Sequence, residues 1–314
     1  MLRVVRVPAL AGALLLISLL GGCATPQVAA LIADPPPALP ERAELTRTPF
    51  YPQERYQCGP AALATVLVYG GVATKPEALV ESVYLPERQG SLQAEMLATA
   101  RRHGRVAYRL APRLDGLLQE VAAGNPVVVL QNLAFSFAPR WHYAVVIGYD
   151  RPREEIVLRS GTTERLVMTL SNFERTWARS EFWAMVALPP DRLPATAGEE
   201  PYVGAVVALE RVSAADARRA YATALSRWPR NLLARMGLGN TAYAAGDFAQ
   251  AESAYRQVTR DHPDAADAWN NLATVLHRTG RTEEAMRAAQ RAIALGGARL
   301  PHYERTLRTI AETR

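Results

Sequence analysis

Thirteen residues decide how this chain is read: Tyr51-Pro52-Gln53-Glu54-Arg55-Tyr56-Gln57-Cys58-Gly59-Pro60-Ala61-Ala62-Leu63. From Cys58 to Tyr69 the sequence is apolar and ends at Gly70-Gly71, which predicts a helix with a glycine stop. Cys58 opens that helix. The free N–H groups and positive dipole end of a helix start favour a thiolate, the nucleophilic form of cysteine. Pro60 suits the first turn because it lacks a donor that would be orphaned there. A glutamine just upstream can give its amide to a developing oxyanion, alongside the Cys58 backbone N–H. Such a cysteine needs a base, and the chain has five histidines. His262, His277 and His302 lie in a repeated helical region, and His103 ends a helix as Arg-Arg-His-Gly. His142 remains, leading the strand-like run Tyr143-Ala144-Val145-Val146-Ile147-Gly148. A histidine at the start of a buried strand is well placed to face a cysteine at a helix N-terminus.

Around this pair, residues 46–190 have mixed character. Helices are expected at 76–83, 91–102, 114–123 and about 172–178. Strands are expected at 106–110, 126–130, 142–149, 155–159, 166–170 and 182–188. Helices first and closely spaced strands later predict an α+β domain on an antiparallel sheet.

The segment from Gln53 to about Leu188 resembles the bacteriocin-processing, double-glycine-leader cysteine peptidases. The matching features are the glutamine followed by Cys-Gly-Pro-Ala-Ala-Leu, Gly90-Ser91-Leu92 before a helix, the Val127-Val128-Val129 run, and His-Tyr-Ala-Val-Val-Ile-Gly-Tyr-Asp from His142. The resemblance implies a papain-like fold and a thiol peptidase acting on peptides or proteins. By it Cys58 is the nucleophile, His142 the general base and acid, and Gln53 the oxyanion donor. Two positions depart from the family pattern. The family glutamine lies six residues before the cysteine; here Pro52 holds that place, Gln53 lies five before, and Gln57 is a rival. The family's third residue, an acid or asparagine, lies on the next strand. A hairpin centred near Arg151–Pro152 puts Ser160 or Gly161 opposite His142, so Ser160 fills the acid's place. A hydroxyl can fix the tautomer of an imidazole but cannot stabilise imidazolium as a carboxylate does. Asp150 is eight residues along the strand from His142, ~26 Å at ~3.3 Å per residue, and cannot substitute.

Residues 202–314 repeat with a period of 34. Leu238, Gly239, Gly246, Ala251 and Tyr255 recur as Leu272, Ala273, Gly280, Ala285 and Ala289, and Ala217, Tyr221 and Ala224 fall in register one period earlier. The pattern resembles a tetratricopeptide array: an all-α domain of two clear repeats and a degenerate leading one, with residues 300–314 as a capping helix. Such arrays stack because no helix pair buries its face alone. This one implies a peptide or protein partner.

The N-terminus completes the organisation. Arg3 and Arg6, an apolar run over 10–20 and Gly21-Gly22-Cys23 read as a secretory signal over residues 1–22. Eleven apolar residues are too few to span a hydrocarbon core of ~30 Å. Leu20-Gly21-Gly22-Cys23 resembles a bacterial lipobox, which implies acylation of Cys23 and membrane attachment. With Ala24 next, the resemblance implies the outer membrane of a Gram-negative cell, facing the periplasm. Residues 23–45, with Pro35-Pro36-Pro37 and no periodicity, read as a stiff tether, and residues 191–201 as a linker. With Cys23 lipidated, Cys58 would be an unpaired thiol in an oxidising compartment.

The chain has 314 residues, 49% hydrophobic and 21% charged, which excludes a wholly disordered chain. Its net charge of +6 becomes +4 without Arg3 and Arg6, with no dense basic run, so no nucleic-acid partner is expected. No metal-binding spacing or phosphate-cradling loop is present, so no cofactor is expected. The other readings of the chain are a degenerate peptide-binding domain, for which Ser160 argues, and a repeat-driven scaffold of the outer membrane.

Overall fold

The computed structural model of the protein describes residues 25–52, 57–88 and 90–312. They cluster into two compact units. The first holds the described residues up to Leu92 and Arg109–Val186; the second holds Gln93–Tyr108 and Ala187 onward. This division differs from the linear boundaries at 190 and 201, because packing and not chain order groups residues 93–108 with the C-terminal helices. Tyr108 is an example: its hydroxyl accepts from the Gly198 N–H at 3.2 Å.

The first unit opens with α1 (Pro26–Ala33), which has a proline in its first turn. Next comes β1 (Arg42–Glu44). The stiff tether expected over 23–45 is therefore corrected: from Pro26 the segment is folded onto the domain. Val28 and Leu31 are buried. The N–H groups of Gln27 and Val28 donate to the Glu174 carboxylate at 3.1 and 2.7 Å. Two turns of helix are too short for a readable periodicity, and the acceptor for their orphan donors lies 146 residues away. Helix α2 (Cys58–Tyr69) is buried from Gly59 to Leu67, which is why it reads as apolar all round. Helix α3 (Pro76–Val83) and the small hairpin β2 (Tyr84–Leu85) and β3 (Gly90–Ser91) pack beside it.

After α4 (Gln93–Arg102) and β4 (Val106–Arg109), helix α5 (Leu114–Ala122) ends at Gly124, whose φ of +83° suits only glycine without strain. Three strands follow: β5 (Val127–Asn132), β6 (Trp141–Asp150) and β7 (Glu155–Ser160). The domain is completed by β8 (Thr163–Thr169), α6 (Leu170–Ala178) and β9 (Ala184–Leu188). Among the described residues the sheet has seven strands in the order β4–β9–β5–β6–β7–β8, with β1 also pairing to β6. Strand β6 is the organiser. Its first half pairs with β5 (Gln131 opposite His142), its second half with β1 (Ala43 opposite Tyr149), and its other edge with β7, all antiparallel. The expected α+β architecture is what forms. β8 starts three residues before the expected 166, because Thr163, Glu164 and Arg165 lie on an exposed edge strand and carry no apolar signal.

The C-terminal helices are α7 (Glu199–Glu210), α8 (Ala214–Arg227), α9 (Leu232–Ala244), α10 (Phe248–Asp261), α11 (Ala266–Arg278), α12 (Thr282–Leu295) and α13 (Leu300–Glu312). The 34-residue period has a steric basis. A Cβ at Gly239 would lie 2.5 Å from the Tyr255 ring, and one at Gly237 would strike the Tyr221 ring. Small residues at those positions let the helices of a pair close up. The expected capping helix is α13, whose Ile310 joins Leu272, Leu276 and Ala289 in one buried cluster.

Candidate active site

Cys58 is the first residue of α2. Its position depends on the glycine that follows: a Cβ at Gly59 would collide with the Ser91 Oγ and lie 2.6 Å from the Ser91 Cβ. The helix start can therefore settle against β3. There the backbone N–H groups of Tyr143, Gly59 and Cys58 itself favour the ionised sulfur. Tyr143 is the residue after His142, and the helix that Cys58 opens packs against β6. No sequence signal marks a backbone amide as a partner; only the packing of α2 on β6 identifies this one. The Tyr143 side chain reaches the same corner, its hydroxyl donating to the Ser91 carbonyl at 3.3 Å.

His142 and Ser160 meet through Nε2 and Oγ at 2.9 Å. The contact is diagonal across β6 and β7, because the register that sets Val145 opposite Arg159 puts Ser160 opposite Ala144, two residues from His142. Ser160 is 8% exposed. Asp150 is far down β6, ion-paired to Arg42 at 2.9 Å. Gln53 and Cys23 lie outside the described residues, as does the signal segment. Gln57 is the residue before α2; it is half-buried, and its side chain makes no capping bond.

The electrostatics correct one expectation. A helix N-terminus was to favour the thiolate. Instead burial pushes the Cys58 thiol up, outweighing the backbone N–H groups that pull it down. Burial also pushes the His142 imidazole down to about 4, and the nearby Arg140 guanidinium adds to that. A thiol raised and an imidazole lowered are each neutral near pH 7. Among the described residues Nε2 bonds to the uncharged Ser160 hydroxyl, which supplies no counter-charge for imidazolium.

Among the described residues no group of three or more His, Cys, Asp or Glu side chains could hold a metal ion. Among them, too, no helix is long and apolar enough to cross a membrane.

Residues 45–185 match the Peptidase_C39 like family. Residues 202–266 and 237–299 match two tetratricopeptide repeat families. No curated protein matches the chain. Among solved structures it is similar to a protein from Bacillus anthracis described as a C39-like peptidase. Identity is 20%, the match covers 48% of this chain and 98% of that one, and the TM-score is 0.39. It is also similar to the peptidase domain of Streptococcus ComA, described as a bi-functional ABC transporter involved in a quorum sensing pathway. There the identity is 18%, the coverage 45% and 99%, and the TM-score 0.38. The chain thus carries a Peptidase_C39-like α+β domain followed by an all-helical tetratricopeptide repeat domain.

Proposed function

We propose that the protein is a membrane-anchored thiol peptidase that hydrolyses peptide bonds through Cys58 and His142. The observation that carries this reading is the His142–Ser160 hydrogen bond at the start of β6, one residue along the chain from Tyr143, whose backbone N–H favours the ionised Cys58 thiol. The neutral His142 ring takes the Cys58 proton as sulfur attacks the substrate carbonyl carbon. Collapse of the tetrahedral adduct forms a thioester and releases the amine, which carries away the proton from the ring. Water then attacks the thioester, giving its proton to His142, and the carboxylic product leaves as Cys58 recovers its proton. The Cys58 backbone N–H and the Gln53 side-chain amide are the proposed oxyanion donors. Ser160 holds the ring without charging it.

Acylated Cys23 would tie the enzyme to the outer membrane, facing the periplasm. The repeat domain would bind a peptide or protein partner in the concave face that stacked helix pairs create. A peptide library incubated with the full chain in detergent tests the chemistry. Cleavage products that vanish in Cys58→Ser support it, and identical profiles overturn it.

A second reading has its own observation. With Ser160 in the acid's place and both reacting groups held neutral, a domain that binds peptides without cleaving them is the alternative. It predicts peptide binding unchanged by Cys58→Ser and no covalent adduct with an aldehyde-capped peptide.

A further inference from the structure

The connection between β5 and β6 is an ordered hairpin with an apolar tip. Leu133 N–H donates to the Arg140 carbonyl at 2.9 Å, and Ala138 N–H donates to the Phe135 carbonyl at 3.2 Å. Asn132 staples its base: Oδ1 accepts from the Ala134 and Arg140 N–H groups at 3.0 and 2.9 Å. Arg179, just beyond α6, donates to the Asn132 and Ala134 carbonyls at 3.1 and 2.7 Å. This braced tip holds Phe135 and Phe137 stacked at 5.3 Å and leaves them 66% and 86% exposed, with Trp141 at 51%. No acidic residue occurs between Glu120 and Asp150, and Arg140 supplies a cation beside the aromatics. A rigid hairpin that displays aromatic rings and one arginine has the chemistry of a lipid–water interface.

The start of the described chain points the same way. Helix α1 carries no charge, and Ala29, Ala30, Ile32 and Ala33 form its exposed side. Cys23 lies three residues before Pro26, a reach of at most ~10 Å. Glu174 of α6 binds the start of α1, and Arg179, at the end of the same helix, binds the aromatic hairpin. Five residues separate them, ~8 Å along the axis. The domain is folded from Pro26 onward, two residues beyond Ala24.

We infer that the hairpin tip from Phe135 to Trp141, together with the exposed side of α1, docks on the bilayer surface, so that the His142 site works against the membrane. This rests on the anchoring reading above. The test uses the full chain, produced in a Gram-negative host and reconstituted into phosphatidylethanolamine–phosphatidylglycerol vesicles. Ser136→Cys in a Cys58→Ala background carries a nitrobenzoxadiazole label at the tip. Docking predicts blue-shifted emission and protection from dithionite on vesicles. Phe135→Ser with Phe137→Ser removes that protection, shifting the docked equilibrium by roughly a hundredfold, at about tenfold per buried ring. A chain that floats with vesicles while its label stays in water overturns the docking and leaves the anchor standing. A chain that does not float overturns both. Protection that needs no vesicles and grows with protein concentration assigns the tip to a second copy. Loss of peptide cleavage in detergent when the Phe135/Phe137 change is made in a chain that keeps Cys58, with the label on the unchanged tip exposed on vesicles, assigns it to substrate. Either result overturns the proposal.

Discussion

Acidification should cost the peptidase-like domain stability through one imidazole. In the fold His142 titrates at about 4, held there by burial and by Arg140; its ordinary value is 6.5. Above 6.5 the ring is neutral in both folded and unfolded chains, and stability is at its full value. As pH falls from 6.5 toward 4 the unfolded chain takes up a proton that the folded chain refuses, so stability is lost across that window. Below 4 both forms are protonated and the loss is complete. A displacement of roughly two and a half pH units corresponds to about 3 kcal/mol. His142→Gln keeps a hydrogen-bonding side chain near Ser160 but cannot titrate, so it isolates the effect from other acid-sensitive groups. Urea unfolding followed through Trp177 and Trp183, both buried in this domain, provides the assay; Trp228 and Trp269 of the repeats are replaced by phenylalanine to silence them. Between pH 7 and pH 4 the parent should lose about 3 kcal/mol more than His142→Gln. Equal losses would refute the claim that the ring is desolvated. A parent that gains on the variant as pH falls would mean that the fold prefers imidazolium, and with it a thiolate–imidazolium pair.

The raised Cys58 thiol has a kinetic counterpart. Alkylation of Cys58 by iodoacetamide should climb above the ordinary thiol range, with no plateau at pH 5–7; a plateau there refutes it. Ser160→Asp should supply the missing counter-charge and raise alkylation at pH 6 by about tenfold, a pH unit of thiol shift, and no change would place residue 160 outside the electrostatics of the pair. Gly59→Ala should destabilise the domain by about 1–3 kcal/mol through its clash with Ser91, with Ser91→Gly relieving most of the loss in denaturant titrations; failure of that rescue would mean the clash is elsewhere. Glu174→Ala should expose α1 to limited proteolysis, because the Gln27 and Val28 N–H groups lose their acceptor at a cost of about 1–3 kcal/mol each, and an unchanged cleavage pattern would show that Val28 and Leu31 hold the helix without it.

Local pattern and covalent order were enough to read several features from the residues. The helix that Cys58 opens, the strand that His142 leads and the 34-residue period of the C-terminal helices all come from apolar runs, glycine stops and small residues that repeat along the chain. Counting back along a hairpin brought Ser160 to within two residues of its place, since the register sets it opposite Ala144 and its side chain crosses diagonally to His142. Tertiary structure alone decided the rest, because each case turns on groups distant in sequence. Residues 26–33 are helical because Glu174 meets their orphan N–H groups. The Cys58 sulfur finds the Tyr143 amide because Gly59 lets α2 approach β3. The charge state of the pair follows from how much water the packed domain excludes, and dipole rules applied to a helix start point the other way. Periodicity along a chain reports which face of an element is apolar; it carries no record of which partner covers that face or how dry the contact becomes.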